Sequence, residues 1–232
     1  MMARITVLQH GGHKRPVITR GSRHSRFRFP SMKTNTTQLG EGKGEEFLAY
    51  YNEVASHVVD FECHPFEIEV VVAGQRRRYR PDSIRMLVDG TVELIEVKRS
   101  EKDLADPDYR ELLARIGEVA RLCGWRFRVL DVEMVLGRRD RSYNVAVLFG
   151  ARSKYLGRAT DRDVGRLIAK NERICWRELR DRLAPGDPLE GDAIVECLLA
   201  RGRFSANLDE KLLPSTFLTP VRPFIGQSMI RI

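Results

Sequence analysis

Apolar positions fall into register from Glu45 onward. In EEFLAYYNEVASH, Phe47, Leu48, Tyr51 and Val54 recur at helical spacing, which predicts an amphipathic helix of about three turns. VVDFECHPFEIEVVV follows, and its second half is a β-run bounded by Pro65 and Ala73-Gly74. RRRYRPDSIRMLV, a turn at Asp89-Gly90 and TVELIEVK come next. Asp-Gly between two β-forming runs is a strong hairpin signal. Residues 106–123, DPDYRELLARIGEVARLC, carry the clearest helical stripe, with Pro107 in the first turn and Gly124 at the stop. FRVLDVEMV (127–135) reads as a further strand. Helix, three strands, helix, strand predicts an α/β domain with a mixed sheet over residues 41–136.

The flanks behave differently. Residues 1–40 are rich in Arg, His, Gly, Ser and Thr and show little periodicity, so they are expected to form a basic flexible arm. In 137–232 strand signals fade. NVAVLFGARSKY, TDRDVGRLIAKN, RICWRELRDRL and EGDAIVECLLARG read as four short helices, and FSANLDEKLLPSTFLTPV as a two-stranded ribbon. Helices followed by a ribbon predict a mainly helical, winged-helix-like domain that contacts DNA or a protein partner.

Composition narrows the class. Of 232 residues 42% are hydrophobic, enough for buried cores, yet no run of eighteen apolar residues occurs. Neither a membrane span nor a secretory leader is expected. Cys63, Cys123, Cys175 and Cys197 stand far apart with no CxxC pair, so reduced thiols in a cytoplasmic protein are the plain expectation. The net charge is +8, and the first forty residues hold eight Lys or Arg and no acid. Further clusters lie at RRRYR (76–80), GRRDR (137–141) and ARSKYLGR (151–158). Such a field attracts polyanions, and salt would weaken that attraction.

The chemistry-bearing stretch is PDSIRMLVDGTVELIEVK (81–98). An acid-x-Lys tripeptide carries little by itself, since the chain has three: Glu41-Gly42-Lys43, Glu96-Val97-Lys98 and Asp209-Glu210-Lys211. The middle one differs in its setting. Glu96 and Lys98 share one face of a strand. Asp82 lies seven residues before Asp89 and Glu96 six after Gly90, which puts the two acids opposite each other at the open end of the hairpin. With two carboxylates and an ammonium in one small volume, repulsion between the acids must be relieved by a proton, by Lys98 or by a bound cation, and hard oxygen donors favour Mg²⁺ or Mn²⁺. The plain alternative is a solvent-facing hairpin with a cross-strand ion pair. No HExxH, GxSxG, Walker or dinucleotide fingerprint appears, and Trp125 and Trp176 read as core.

Pro-Asp followed by Glu-x-Lys between helices resembles the PD-(D/E)xK nuclease superfamily. More narrowly, residues 45–135 are similar to the TnsA-type endonuclease subunit of heteromeric, Tn7-like bacterial transposases. Glu45-Glu46-Phe47-Leu48, VVDFECHPFEIEV, RRYRPDSIRMLV, LIEVKRS and FRVLDVEMV carry the likeness. The resemblance implies a restriction-endonuclease-like sheet flanked by helices, with Asp82, Glu96 and Lys98 catalytic. It also implies a third metal-binding acid near the start of the first helix. Counting back from the element that ends in Pro65 puts Glu45 there, with Glu46 and Glu41 as alternatives. Glu45, Asp82 and Glu96 would bind Mg²⁺ or Mn²⁺. Where the family has Gln-Pro, this chain has His64-Pro65, which makes His64 either a site-edge residue or a structural one. The implied activity is cleavage of the non-transferred strand at transposon ends, alongside a DDE-type transposase and an AAA+ regulator. Arg76, Arg77, Arg78, Arg80 and Arg99 would hold DNA phosphates. A stand-alone restriction or repair nuclease, and a DNA-binding protein of nuclease fold that no longer cuts, are the competing readings.

Overall fold

The structure is a computed structural model that describes residues 3–7, 25–137, 139–222, 224–228 and 230. It is a mixed α/β chain that divides into two compact units. Among the described residues, the first comprises those within 1–49, 58–136 and 227–232, and the second those within 50–57 and 137–226.

In the first unit the elements run β1 (Ala3–Thr6), β2 (Arg26–Pro30), β3 (Thr37–Glu41) and α1 (Lys43–Val54, whose residues up to Ala49 belong here). Five strands follow: β4 (Val58–Cys63), β5 (Glu67–Val72), β6 (Gln75–Tyr79), β7 (Ser83–Leu87) and β8 (Val92–Lys98). A 3₁₀ turn (Glu101–Leu104), α2 (Pro107–Leu122), β9 (Arg126–Asp131) and the short α3 (Val132–Leu136) complete it.

The central sheet has the order β4-β7-β8-β9, antiparallel except for the parallel β8–β9 pair. Side-chain alternation on β8 sends Val92 and Leu94 to one face, where they pack with Leu113, Ile116, Val119 and Ala120 of α2. Ile95 points to the other, against Leu48 of α1 and Val135 of α3. Both faces are therefore covered. That explains why neighbours such as Leu94 and Ile95 are both apolar and both buried. Charged residues interrupt the pattern: besides Glu96 and Lys98, Arg85 and Glu93 are buried and paired at 2.6 Å, and Arg128 also reaches Glu93 at 3.4 Å.

The β7–β8 turn is the Asp89-Gly90 hairpin expected from the sequence. Leu87 N donates to Thr91 O at 2.8 Å, the Asp89 carboxylate accepts from Thr91 N at 2.9 Å, and Gly90 sits at φ 80°. A β-carbon there meets left-handed strain, so Gly90→Ala should cost about 1 kcal/mol, read from the shift in urea midpoint.

Several expectations need correction. Residues 26–41, expected within a flexible arm, form the β2–β3 hairpin. Arg26 and Arg28 alternate with Phe27 and Phe29, which are 6% and 5% exposed; the period-two pattern lay beneath the basic composition. The rest of that arm between residues 8 and 24 lies outside the described residues. Five strands rather than three separate α1 from α2. His64-Pro65 divides β4 from β5, and Pro81 divides β6 from β7. Ala73 (φ 47°) and Gly74 (φ 78°) turn β5 into β6, and β5 also pairs with β1 in a second sheet. The strand expected over 127–135 stops at Asp131, whose carboxylate accepts from Met134 N at 2.6 Å and opens α3.

The second unit contains α4 (Arg139–Ala151), α5 (Arg158–Lys170), β10 (Ile174–Cys175), α6 (Trp176–Leu183), α7 (Pro188–Ala200), β11 (Phe204–Ser205) and β12 (Phe217–Pro220). The expected four helices are present. The expected ribbon is β11 with β12, and β10 adds to its other edge. Leu148, Leu179, Leu198, Phe204 and Leu218 are fully buried, and Trp176 donates its indole N–H to Asp192 at 2.7 Å. Among the described residues no helix is long and apolar enough to cross a membrane.

Candidate active site

The hairpin aligns its two acids through its register. Ser83 pairs with Ile95, so Asp82 and Glu96 face each other one step further out. Asp82 Oδ2 accepts the Val97 N–H at 2.7 Å, which locks the start of β7 to the end of β8. Lys98, on the same face as Glu96, places Nζ 2.5 Å from Glu96 Oε1.

Glu45 arrives from the first turn of α1. Its Oε2 accepts from Glu41 N at 3.1 Å and stands 3.1 Å from His64 Nε2. His64 follows β4 in the left-handed region (φ 50°), and its backbone N–H donates to the Asp82 carbonyl at 3.0 Å. One ligand atom each from Glu45, His64 and Asp82 lie within 4.8 Å of one another.

Glu96 is held differently. It is 4% exposed. Tyr79, the aromatic of the arginine-rich β6, donates its hydroxyl to Oε2 at 2.5 Å, and Tyr109 of α2 donates to Oε1 at 2.6 Å. Lys98 Nζ also lies 4.6 Å from the Tyr109 ring centroid. A buried carboxylate thus receives three short donors, two of them neutral.

Charge crowding shows in the titration. Burial, then the nearby Glu96 and Glu45 charges, push the Asp82 carboxyl well above its ordinary range; the Val97 N–H and Lys98 pull the other way. Burial and Glu96 likewise raise the hydroxyls of Tyr79 and Tyr109 above the ordinary phenol range. The Cys63 thiol, at the end of β4, is raised by burial and then by Glu45, Glu62 and Asp82, so it remains an inert neutral thiol. Glu45 and Asp82 raise the local negative charge beside Glu96, and their carboxylates with His64 Nε2 form a donor set that fits a divalent cation, which would relieve the repulsion.

A cleft of about 590 Å³ opens beside this cluster. Gly42 and the start of α1 (Lys43, Gly44 and Glu45) line it together with Lys98 and Arg99. Backbone N–H groups at a helix start and three cations share this lining with the acids Glu41 and Glu45, which suits a phosphate held together with a cation.

Glu45, Asp82, Glu96 and Lys98 are therefore brought together. Glu45, not Glu46 or Glu41, places its carboxylate against His64. Arg99 lines the cleft. Arg76, Arg78 and Arg80 instead form a ladder on the outer face of β6 with Glu67 and Glu69, at 3.6–3.7 Å. Arg77 pairs across from Val70 on the opposite face. The side chains of Arg76 and Arg78 are largely exposed, and pairs of this length there contribute under about 1 kcal/mol, so these two arginines can meet another anion; Arg80 is more covered. The sequence reading missed Tyr79, Tyr109 and Lys43. Tyr79 was detectable as the one aromatic in RRRYR, at the parity of the core-facing Ile68. Tyr109 carries no such signal, because its role depends on how α2 crosses the sheet. Set against known proteins, the chain matches no protein-family model and no curated protein sequence.

Proposed function

We propose that the first unit is a metal-dependent DNA endonuclease of the PD-(D/E)xK superfamily, with a restriction-endonuclease-like sheet. We further propose that it acts as the TnsA-type subunit of a transposase. The observation that carries this reading is the convergence of Asp82, Glu96 and Lys98 from one hairpin with Glu45 from α1, beside a cleft walled by Lys43, Lys98 and Arg99.

Glu45 and Asp82 would hold Mg²⁺ or Mn²⁺. The bound ion supplies Lewis acidity to a phosphodiester and lowers the pKa of a water. The protein does the positioning. Lys98, steadied by Glu96 and the Tyr109 ring, presents an ammonium to charge developing at phosphorus or orients the attacking water. Arg99 and the start of α1 seat the neighbouring phosphate. The arginines of β6 extend the contact along the backbone without reading sequence. In this reading the second unit is the winged-helix-like domain that engages DNA or a protein partner. A DDE-type transposase would cut and join the other strand at transposon ends, under an AAA+ regulator.

The test is nicking of supercoiled plasmid with Mg²⁺ or Mn²⁺, alone and then with a DDE transposase and transposon-end DNA. Glu45→Gln, Glu96→Gln and Lys98→Ala should each lower cutting at least ~100-fold while DNA affinity changes little. Equal cutting by wild type and all three variants would remove the site. Efficient cutting of plain plasmid by the lone protein would favour a stand-alone nuclease over a transposase subunit.

A further inference from the structure

The hairpin motif nominates Glu96 as the acid that completes the metal site, yet both of its oxygens are already engaged by Tyr79, Tyr109 and Lys98. The side chain that does share a ligand-sized volume with Glu45 and Asp82 is His64. We propose that His64, through Nε2, is the third protein ligand of the cation, and that this nitrogen makes the site prefer Mn²⁺ over Mg²⁺. The inference rests on the divalent-cation reading above and deepens it.

Three observations carry it. His64 is a non-glycine residue at φ 50°, a conformation that persists only where surrounding structure holds it. What holds it is Asp82 itself, whose carbonyl takes the His64 backbone N–H at 3.0 Å. The strained residue and the acid are thereby fixed side by side. Second, Nε2 points at Glu45 Oε2 across 3.1 Å, close to the separation of neighbouring ligands on one ion with bonds of roughly 2.1 Å. Third, the other ring nitrogen is buried without a hydrogen-bond partner among the described residues, so nothing there anchors the ring facing another way. Among the described residues, the polar contact this imidazole makes is with Glu45, and the Asp82 carboxylate lies within 4.8 Å.

The selectivity follows from donor type. Mg²⁺ is hard, takes oxygen and sheds water reluctantly, so an imidazole gains it little. Mn²⁺ and later first-row ions accept nitrogen with oxygen and gain from it. Glu96 keeps its place as the anchor of Lys98, outside the ligand set.

The experiment measures Mn²⁺ and Mg²⁺ binding to the purified full chain by calorimetry, with pulsed EPR on the Mn²⁺ complex. Wild type should bind Mn²⁺ at least ~10-fold tighter than Mg²⁺ and show ¹⁴N coupling from a ligated imidazole. His64→Gln, which substitutes an amide for the ring, should lose at least ~10-fold in Mn²⁺ affinity, keep its Mg²⁺ affinity within about threefold and lose the ¹⁴N signal. The wild-type EPR measurement needs no variant, so it stands even if His64→Gln folds poorly. Mn²⁺ bound without ¹⁴N coupling, or a coupling that survives in His64→Gln, overturns the role of His64 and leaves the cation site intact. Absence of either ion's binding to wild type, with Asp82→Asn indistinguishable from it, overturns both this inference and the reading on which it rests.

Discussion

Asp82→Asn should abolish DNA cleavage, by at least ~10³-fold, and at the same time make the metal-free protein more stable at neutral pH. The first half follows from the proposed role of the Asp82 carboxylate as a ligand. The second follows from its surroundings. Asparagine keeps an oxygen to accept the Val97 N–H, so the bond that ties β7 to β8 survives. What disappears is a buried negative charge facing Glu96 and Glu45. Relief of that repulsion should add on the order of 1 kcal/mol, or about 2–4 °C in melting temperature.

The sign can be checked against pH. The folded state holds the Asp82 carboxyl well above its ordinary range, so folding favours its protonated form. The stability this brings is fully present below the unfolded carboxyl pKa of about 4 and is lost as pH rises through the folded value. Wild type and Asp82→Asn should therefore melt together in acid and separate as pH climbs, with the variant higher. Adding Mn²⁺ should raise wild type and leave the variant nearly unmoved. An Asp82→Asn protein that melts below wild type by the same margin at every pH would make Asp82 a structural residue.

This pairing of lost activity with gained stability also explains which parts of the site were legible in the sequence. Asp82, Glu96 and Lys98 could be placed together because an antiparallel hairpin with an Asp-Gly turn has a countable register, and counting needs no tertiary knowledge. Glu45 is a different case. Helical periodicity located α1, but only the resemblance pointed to Glu45, and only the packing of Leu48 against Ile95 brings its carboxylate to the hairpin's end. His64 was visible as a departure from the family's pattern, yet nothing in the local sequence announces its left-handed backbone. The β2–β3 hairpin was hidden because basic composition outweighed the alternation of Phe27 and Phe29. Long-range pairings such as β1 with β5 leave no local trace in either partner.

The tyrosines at Glu96 offer the second large effect. Tyr79→Phe deletes a hydroxyl that donates to a buried carboxylate at 2.5 Å while leaving the ring in the core. A charge-assisted bond of this kind is worth about 1.5–3 kcal/mol, which should appear as a lower urea midpoint. Tyr109→Phe removes the companion donor, and the double variant leaves Lys98 as the one donor known to reach Glu96. With Glu96 no longer fixed, Lys98 loses its anchor, so the double variant should cut DNA about 10²-fold more slowly, with the loss in kcat rather than in DNA affinity. The alkaline limb supplies a sign-specific check. Burial and Glu96 raise the Tyr79 hydroxyl above the ordinary phenol range. Its contribution is therefore complete below the unfolded phenol pKa of about 10, and is lost as pH rises through the folded value. Wild type should lose stability steeply from about pH 10 upward, whereas Tyr79→Phe should start lower and fall more shallowly. Parallel alkaline slopes, together with unchanged kcat in the double variant, would show that the tyrosines merely fill space and that Lys98 holds Glu96 unaided. Diverging slopes would instead show that the Tyr79 hydroxyl is held by the Glu96 carboxylate in solution, as the proposed place of Glu96 outside the ligand set requires.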